Sequence, residues 1–145
     1  MTALGSLVRV HTWTLDEKRQ TLGGLEELGE KLRSDLENLE AELRREQAAA
    51  TGSIEGTIAF PAFVAAALER RKRLRVSIAN LDLAIEAARE ETREAYQEVK
   101  KYELARDNHE RRERDRLALR ERNALDELGA TLHRRKKMDR GDSEG

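Results

Sequence analysis

Leucine returns along the first third of this chain at alternating three- and four-residue steps, through Leu22, Leu25, Leu32, Leu36, Leu39 and Leu43, with Gly29 standing in one leucine's place. A side chain that recurs every ~3.5 residues stays on one face of an α-helix and forms the seam of a coiled coil. The expected product is a long, thin, helical molecule rather than a globule with a concave pocket. Molecules of that kind bind and transmit; they seldom catalyse.

Composition points the same way. Charged residues make up 39% of the chain, aromatics 3%, and the single proline is Pro61. Such a chain is either helical or disordered, and the in-phase apolar spacing argues for helix. No cysteine is present, so disulfides and thiolate metal sites are excluded. The opening MTALGSLVRV lacks the apolar core of a signal peptide, and no stretch approaches the ~18 apolar residues that span a bilayer. A reducing cytoplasm is the expected compartment.

The first stripe runs from Leu4 through Val8 and Leu15 to Leu43 and fades in the alanines Ala48 to Ala50. Thr51, Gly52, Ser53 and Gly56 then predict a turn over 51–60, with Pro61 in the first turn of a second helix, where its missing amide is tolerated. A second seam follows through Phe60, Val64, Ala67, Leu74, Ile78, Leu81, Ile85, Ala88, Ala95, Val99 and Tyr102, interrupted by Arg71 and Thr92. Two seams joined by a short link predict an all-α fold, an antiparallel two-helix coiled-coil hairpin. The expected bounds are 3–50 and 61–138 in a single unit, with a disordered tail at 139–145.

Setting Ala50 opposite Pro61 places Leu36 near Arg75, Leu22 near Arg89 and Leu4 near Asp107, to within one helical turn. The hairpin is then roughly 70 Å long, and the second helix outlasts the first by about 30 residues, or ~45 Å. The sequence changes at that point. Arg106 to Arg116 (RDNHERRERDR) contains no apolar residue, and a new stripe of Leu117, Ala124, Leu128 and Thr131 or Leu132 then begins, out of phase with the first and widened by Leu119 and Leu125. Charge is also segregated. Met1 to Phe60 carries seven cations against eleven carboxylates, whereas Lys100 to Arg140 carries fourteen against nine.

Chemistry-bearing constellations are missing from the sequence. His11, His109 and His133 lie far apart, without the spacing of metal ligands. Glu86, Glu90 and Glu94 fall on the outer face of the second helix, a solvated array. Neither GxxxxGK[ST] nor GxGxxG occurs, so no cofactor site, metal site or catalytic residue is expected. Basic clusters at Arg70 to Arg75 (RRKRLR), Arg111 to Arg122 and Arg134 to Lys137 raise nucleic acid as a partner. Interleaved carboxylates, absent aromatics and near-zero net charge argue against it. Trp13, Phe60 and Phe63 are expected to pack, with partner contact at the phenylalanine pair as the alternative.

Several segments together resemble the FliJ family of the bacterial flagellar type III export apparatus. They are SLVRVHTWTLDEKRQTLGGLEEL at the start, FPAFVAAALERRKRL at the second helix, KKYELARDNHERRERD, and the ending RNALDELGATLHRRKK, in which Asp126-Glu127 precedes Arg134-Arg135. The resemblance implies a soluble, non-enzymatic stalk-like component, similar to the central stalk subunit of rotary ATP synthases. It implies association with the hexameric export ATPase and with the cytoplasmic domain of the export gate membrane protein, and escort of unloaded export chaperones. The expected location is the cytoplasm, at the cytoplasmic face of the inner membrane on assembly. By that analogy the arm from Arg111 to Lys137, with Arg111, Arg112, Arg116, Leu117, Arg120, Asp126, Glu127, Leu128, Arg134 and Arg135, meets the ATPase. Phe60 and Phe63, or the middle of the rod, face the gate or chaperones. A virulence-type secretion stalk, or a structural coiled coil self-associating through Leu117 to Leu132, remain alternative readings.

Overall fold

The structure is a computed structural model that describes residues 2–143. It contains two helices, α1 (Ala3–Ala50) and α2 (Ile54–Ser143), of 48 and 90 residues, and among the described residues no strand. By compactness the chain divides into two units. One is Arg9–Val99; the other combines the residues up to Val8 with those from Lys100 onward.

Arg9–Val99 is an antiparallel helical hairpin. Lys18 pairs with Glu91 at 3.2 Å, Glu26 with Arg89 at 3.7 Å, Arg33 with Asp82, and Glu40 with Arg75 at 3.6 Å, so partner numbers fall along α2 as they rise along α1. The Arg75 and Arg89 pairings lie one helical turn from the expected alignment. All of these pairs are exposed, each worth at most about 1 kcal/mol, and they fix register more than they add stability. The stabilising element is the seam between them, where Leu15, Leu39, Ala50, Ala67, Leu81, Ile85, Ala88 and Val99 are buried. Gly29 is buried among them, and a Cβ there would meet Ile85 Cδ1 at 3.4 Å and Leu81 Cδ2 at 3.6 Å. Thr92, which interrupts the seam, is satisfied locally: its hydroxyl donates to the Ala88 carbonyl at 2.7 Å and lies 3.4 Å from that of Lys18.

The link between the helices is shorter than predicted. Ser53 caps α2, its Oγ accepting from the Gly56 amide at 2.9 Å while the Thr57 amide reaches the Ser53 carbonyl at 3.1 Å. Helix therefore begins at Ile54 rather than Pro61, and Pro61 lies inside it. Its missing N–H leaves the Thr57 carbonyl without the usual i+4 donor. The hydroxyl of Thr57 staples the turn by donating to the Ala50 carbonyl at 2.6 Å. Gly56 is required by close approach: a Cβ would stand 2.8 Å from Ser53 Oγ, 3.2 Å from Ala50 Cα and 3.3 Å from the Ala49 carbonyl oxygen. No described residue has a positive φ, so the reversal needs no left-handed glycine.

In the other unit, Thr2 caps α1 by accepting from the Gly5 amide at 3.1 Å, Val8 is buried and Leu4 half-buried. The segment expected as a disordered tail from residue 139 is helical as far as Ser143; residues 144 and 145 lie outside the described residues.

Candidate functional site

A helix buries side chains only where another segment lies against it. In the unit holding Lys100 onward, the other segment available is the short stretch up to Val8. Tyr102, Glu103, Ala105, Arg106 and Asn108 are half-buried, and every residue from Arg114 to Gly141 is exposed. Leu117, Leu119, Leu125, Leu128 and Leu132 retain 49% to 67% of their accessible surface. Five leucines left this wet on one helix make a surface with unspent hydrophobic free energy, each worth ~1.5 to 3 kcal/mol on full burial.

Phase distinguishes this stripe from the seam. Tyr102 and Arg106 continue the three-four alternation, whereas Leu117, Ala124 and Leu128 fall one position beyond its extension and hence ~100° around the helix. The charged stretch before them is braced along its own axis: Arg106 reaches Asp107 at 3.4 Å and Arg116 reaches Glu113 at 2.8 Å. Glu113 and Arg116 make an i, i+3 pair there.

The predicted partner-binding residues therefore fall in two places. Arg111, Arg112, Arg116, Leu117, Arg120, Asp126, Glu127, Leu128, Arg134 and Arg135 all lie exposed on α2 in the unit from Lys100 onward. Arg134 Nε approaches its own-helix Ala130 carbonyl at 3.5 Å. Phe60 and Phe63 belong to the Arg9–Val99 unit and are half-buried. Phe63 lines a shallow hollow of about 150 Å³ with Leu39, Glu42, Ala66, Ala67 and Arg70.

Trp13 departs from expectation. It points outward with 64% of its surface accessible, beside Val10 at 57%, because it falls between the seam positions occupied by His11 and Leu15. Periodicity alone could have found this, since Trp13 is out of step with Leu15 and Leu22.

No described group of three or more histidine, aspartate or glutamate side chains could hold a metal ion. Glu86 and Glu90 pair with Arg89 and Arg93 along α2, on an open helical face. No described helix is long and apolar enough to cross a membrane. A depression walled by ion pairs, about 400 Å³ with Glu26, Arg33, Asp82 and Arg89 around Ile85, lies beside the missing side chain of Gly29. What the surface offers is contact area and charge.

Residues 1–138 match the family model described as the Flagellar FliJ protein. The chain belongs to the FliJ family. Neither the curated proteins nor the solved structures include a match to it. As a FliJ-family member it is a flagellar export-associated protein, and the matched span includes both the hairpin and the whole arm from Arg111 to Lys137.

Proposed function

We propose that this FliJ-family chain is a non-catalytic, stalk-like component of the flagellar export apparatus that docks on the hexameric export ATPase through the arm from Arg111 to Lys137. The observation that carries the reading is the unbroken exposure of Arg114 to Gly141 with its leucine stripe, on a chain whose family works in flagellar export. An amphipathic helix of this kind lies in a groove with its apolar stripe inward, and the rim charges Arg116, Arg120, Arg134 and Arg135 set approach and register. Asp126 and Glu127 break the run of positive charge and favour a partner that presents both signs over a uniform polyanion such as nucleic acid.

The phenylalanine pair, or the middle of the hairpin, contacts the cytoplasmic domain of the export gate membrane protein and the export chaperones that the protein escorts. It works in the cytoplasm and reaches the inner membrane through those partners. Family membership favours the flagellar over the virulence-type setting. Deleting Arg120 to Lys137 abolishes co-purification with the export ATPase while the hairpin stays helical by circular dichroism. Retained co-purification would overturn the assignment.

A further inference from the structure

Charge changes character along the exposed arm of α2. From Arg111 to Glu127 six arginines stand among five carboxylates, whereas Leu128 to Met138 holds Arg134, Arg135, Lys136 and Lys137 and no carboxylate. Arg140 adds a fifth cation just beyond. Every residue from His133 to Arg140 is exposed, and among the described residues Arg135, Lys136 and Lys137 have no carboxylate within ion-pair distance. His133, Lys136, Lys137 and Arg140 follow the i, i+3, i+4, i+7 spacing of one helical face and line a hollow of about 330 Å³. Asp139 is not part of its wall, because adjacent residues of a helix point ~100° apart.

We infer that this end of α2, from His133 to Arg140, is a contact site for an anionic lipid bilayer, with a headgroup phosphate seated among His133, Lys136, Lys137 and Arg140. The contact is direct and adds to the approach to the membrane that partners provide. It goes beyond the ATPase assignment and does not require it.

Geometry and charge select a bilayer over other acidic partners. Arg134, Arg135, Lys136 and Lys137 are consecutive, so their directions divide the circumference of the helix and leave no apolar face to bury in a protein groove. A fluid headgroup layer surrounds such a helix end, whereas a rigid groove meets one side of it. Lysine and arginine stems are apolar, and they let the charged ends reach the phosphates while the helix lies lower. Met138, with 73% of its surface accessible, sits among those stems and suits the boundary between headgroups and acyl chains. The arginines from Arg111 to Arg122 fit less well, because the carboxylates interleaved with them would be driven toward the same phosphates. Single-stranded nucleic acid stacks on aromatics, and the chain has none beyond Tyr102. A polybasic cluster without a lipid anchor binds reversibly, through an attraction that fades within a Debye length.

The test is co-sedimentation of the full chain, with no ATPase present, with vesicles of phosphatidylcholine alone or mixed with phosphatidylglycerol. Binding is expected to the mixed vesicles only, weakening as salt rises and slowing amide exchange across 132–140. Lys137→Gln lowers partitioning by about five-fold and Lys136→Gln with Lys137→Gln by about thirty-fold, at exposed positions where circular dichroism stays that of the parent. Equal binding to neutral vesicles, unchanged partitioning of both variants, or protection confined to 117–128 overturns the proposal. Tighter binding to a single-stranded oligonucleotide or to a polyglutamate peptide than to mixed vesicles also overturns it, by moving the cluster to nucleic acid or to an acidic protein. Failure in this assay leaves the ATPase assignment standing, and lost ATPase co-purification leaves vesicle binding standing.

Discussion

Replacing Gly29 by alanine should stabilise the hairpin, and by more than the same change at its sister glycines. Removing a helical glycine gains about 1 kcal/mol wherever the helix is otherwise undisturbed. At Gly29 the new methyl also enters the seam, 3.4 Å from Ile85 Cδ1 and Arg33 Nη1 and 3.6 Å from Leu81 Cδ2. These are ordinary contact distances to the mobile ends of side chains. Burying one methyl there adds ~0.8 kcal/mol, for a total of roughly 1.5 to 2 kcal/mol. Gly23 and Gly24 supply the control, because a Cβ at either meets nothing within 4 Å. Gly23→Ala and Gly24→Ala should each gain about 1 kcal/mol from backbone entropy and propensity alone. Urea titration followed by circular dichroism reads the three variants against the parent, with an unchanged slope required before midpoints are compared. A Gly29→Ala chain that gains no more than Gly23→Ala, or loses stability, refutes the seam geometry.

The remaining expectations address the turn, the arm and local stability. Gly56→Ala should destabilise by about 1 to 3 kcal/mol despite its better helix propensity, because the methyl meets α1 backbone; a stabilised variant in thermal melts would contradict the close approach. Pro61→Ala should stabilise by about 2 to 3 kcal/mol and give residue 61 an exchange-protected amide; an unprotected amide would mean that the helix starts at 61 after all. Leu117→Ala combined with Leu128→Ala should leave folding stability within about 0.5 kcal/mol of the parent while weakening ATPase co-purification, and a large stability loss would show that those leucines are already packed. Amides from Leu22 to Glu30 should exchange faster than those from Asp35 to Leu43, and equal rates would remove the glycine-weakened segment.

The sequence made the seam readable because heptad spacing is a property of the backbone helix and needs no knowledge of the partner. Leu15, Leu39, Leu81, Ile85 and Val99 are buried where that spacing puts them, and Gly29 holds its seam place without a side chain. The link was harder to read. Gly52, Gly56 and Pro61 all look like breakers, yet Ser53 caps the helix first, and Gly56 serves close packing rather than a left-handed turn. Local propensity could not reveal that, because the decisive atoms belong to Ala49 and Ala50 on the other helix. Trp13 has the residue type of a core side chain, but its position between seam residues holds it outward. The arm's exposure was implied by helix length and by the apolar gap from Arg106 to Arg116.

The rotation of the leucine stripe around α2 affects how a complex can form. Since Leu117 and Leu128 face about a quarter-turn away from the line continued by Tyr102 and Arg106, a protein gripping them approaches from the side. It does not have to compete with the amino-terminal residues for the same strip of helix. Capture and release at those leucines can then proceed with the residues up to Val8 left seated.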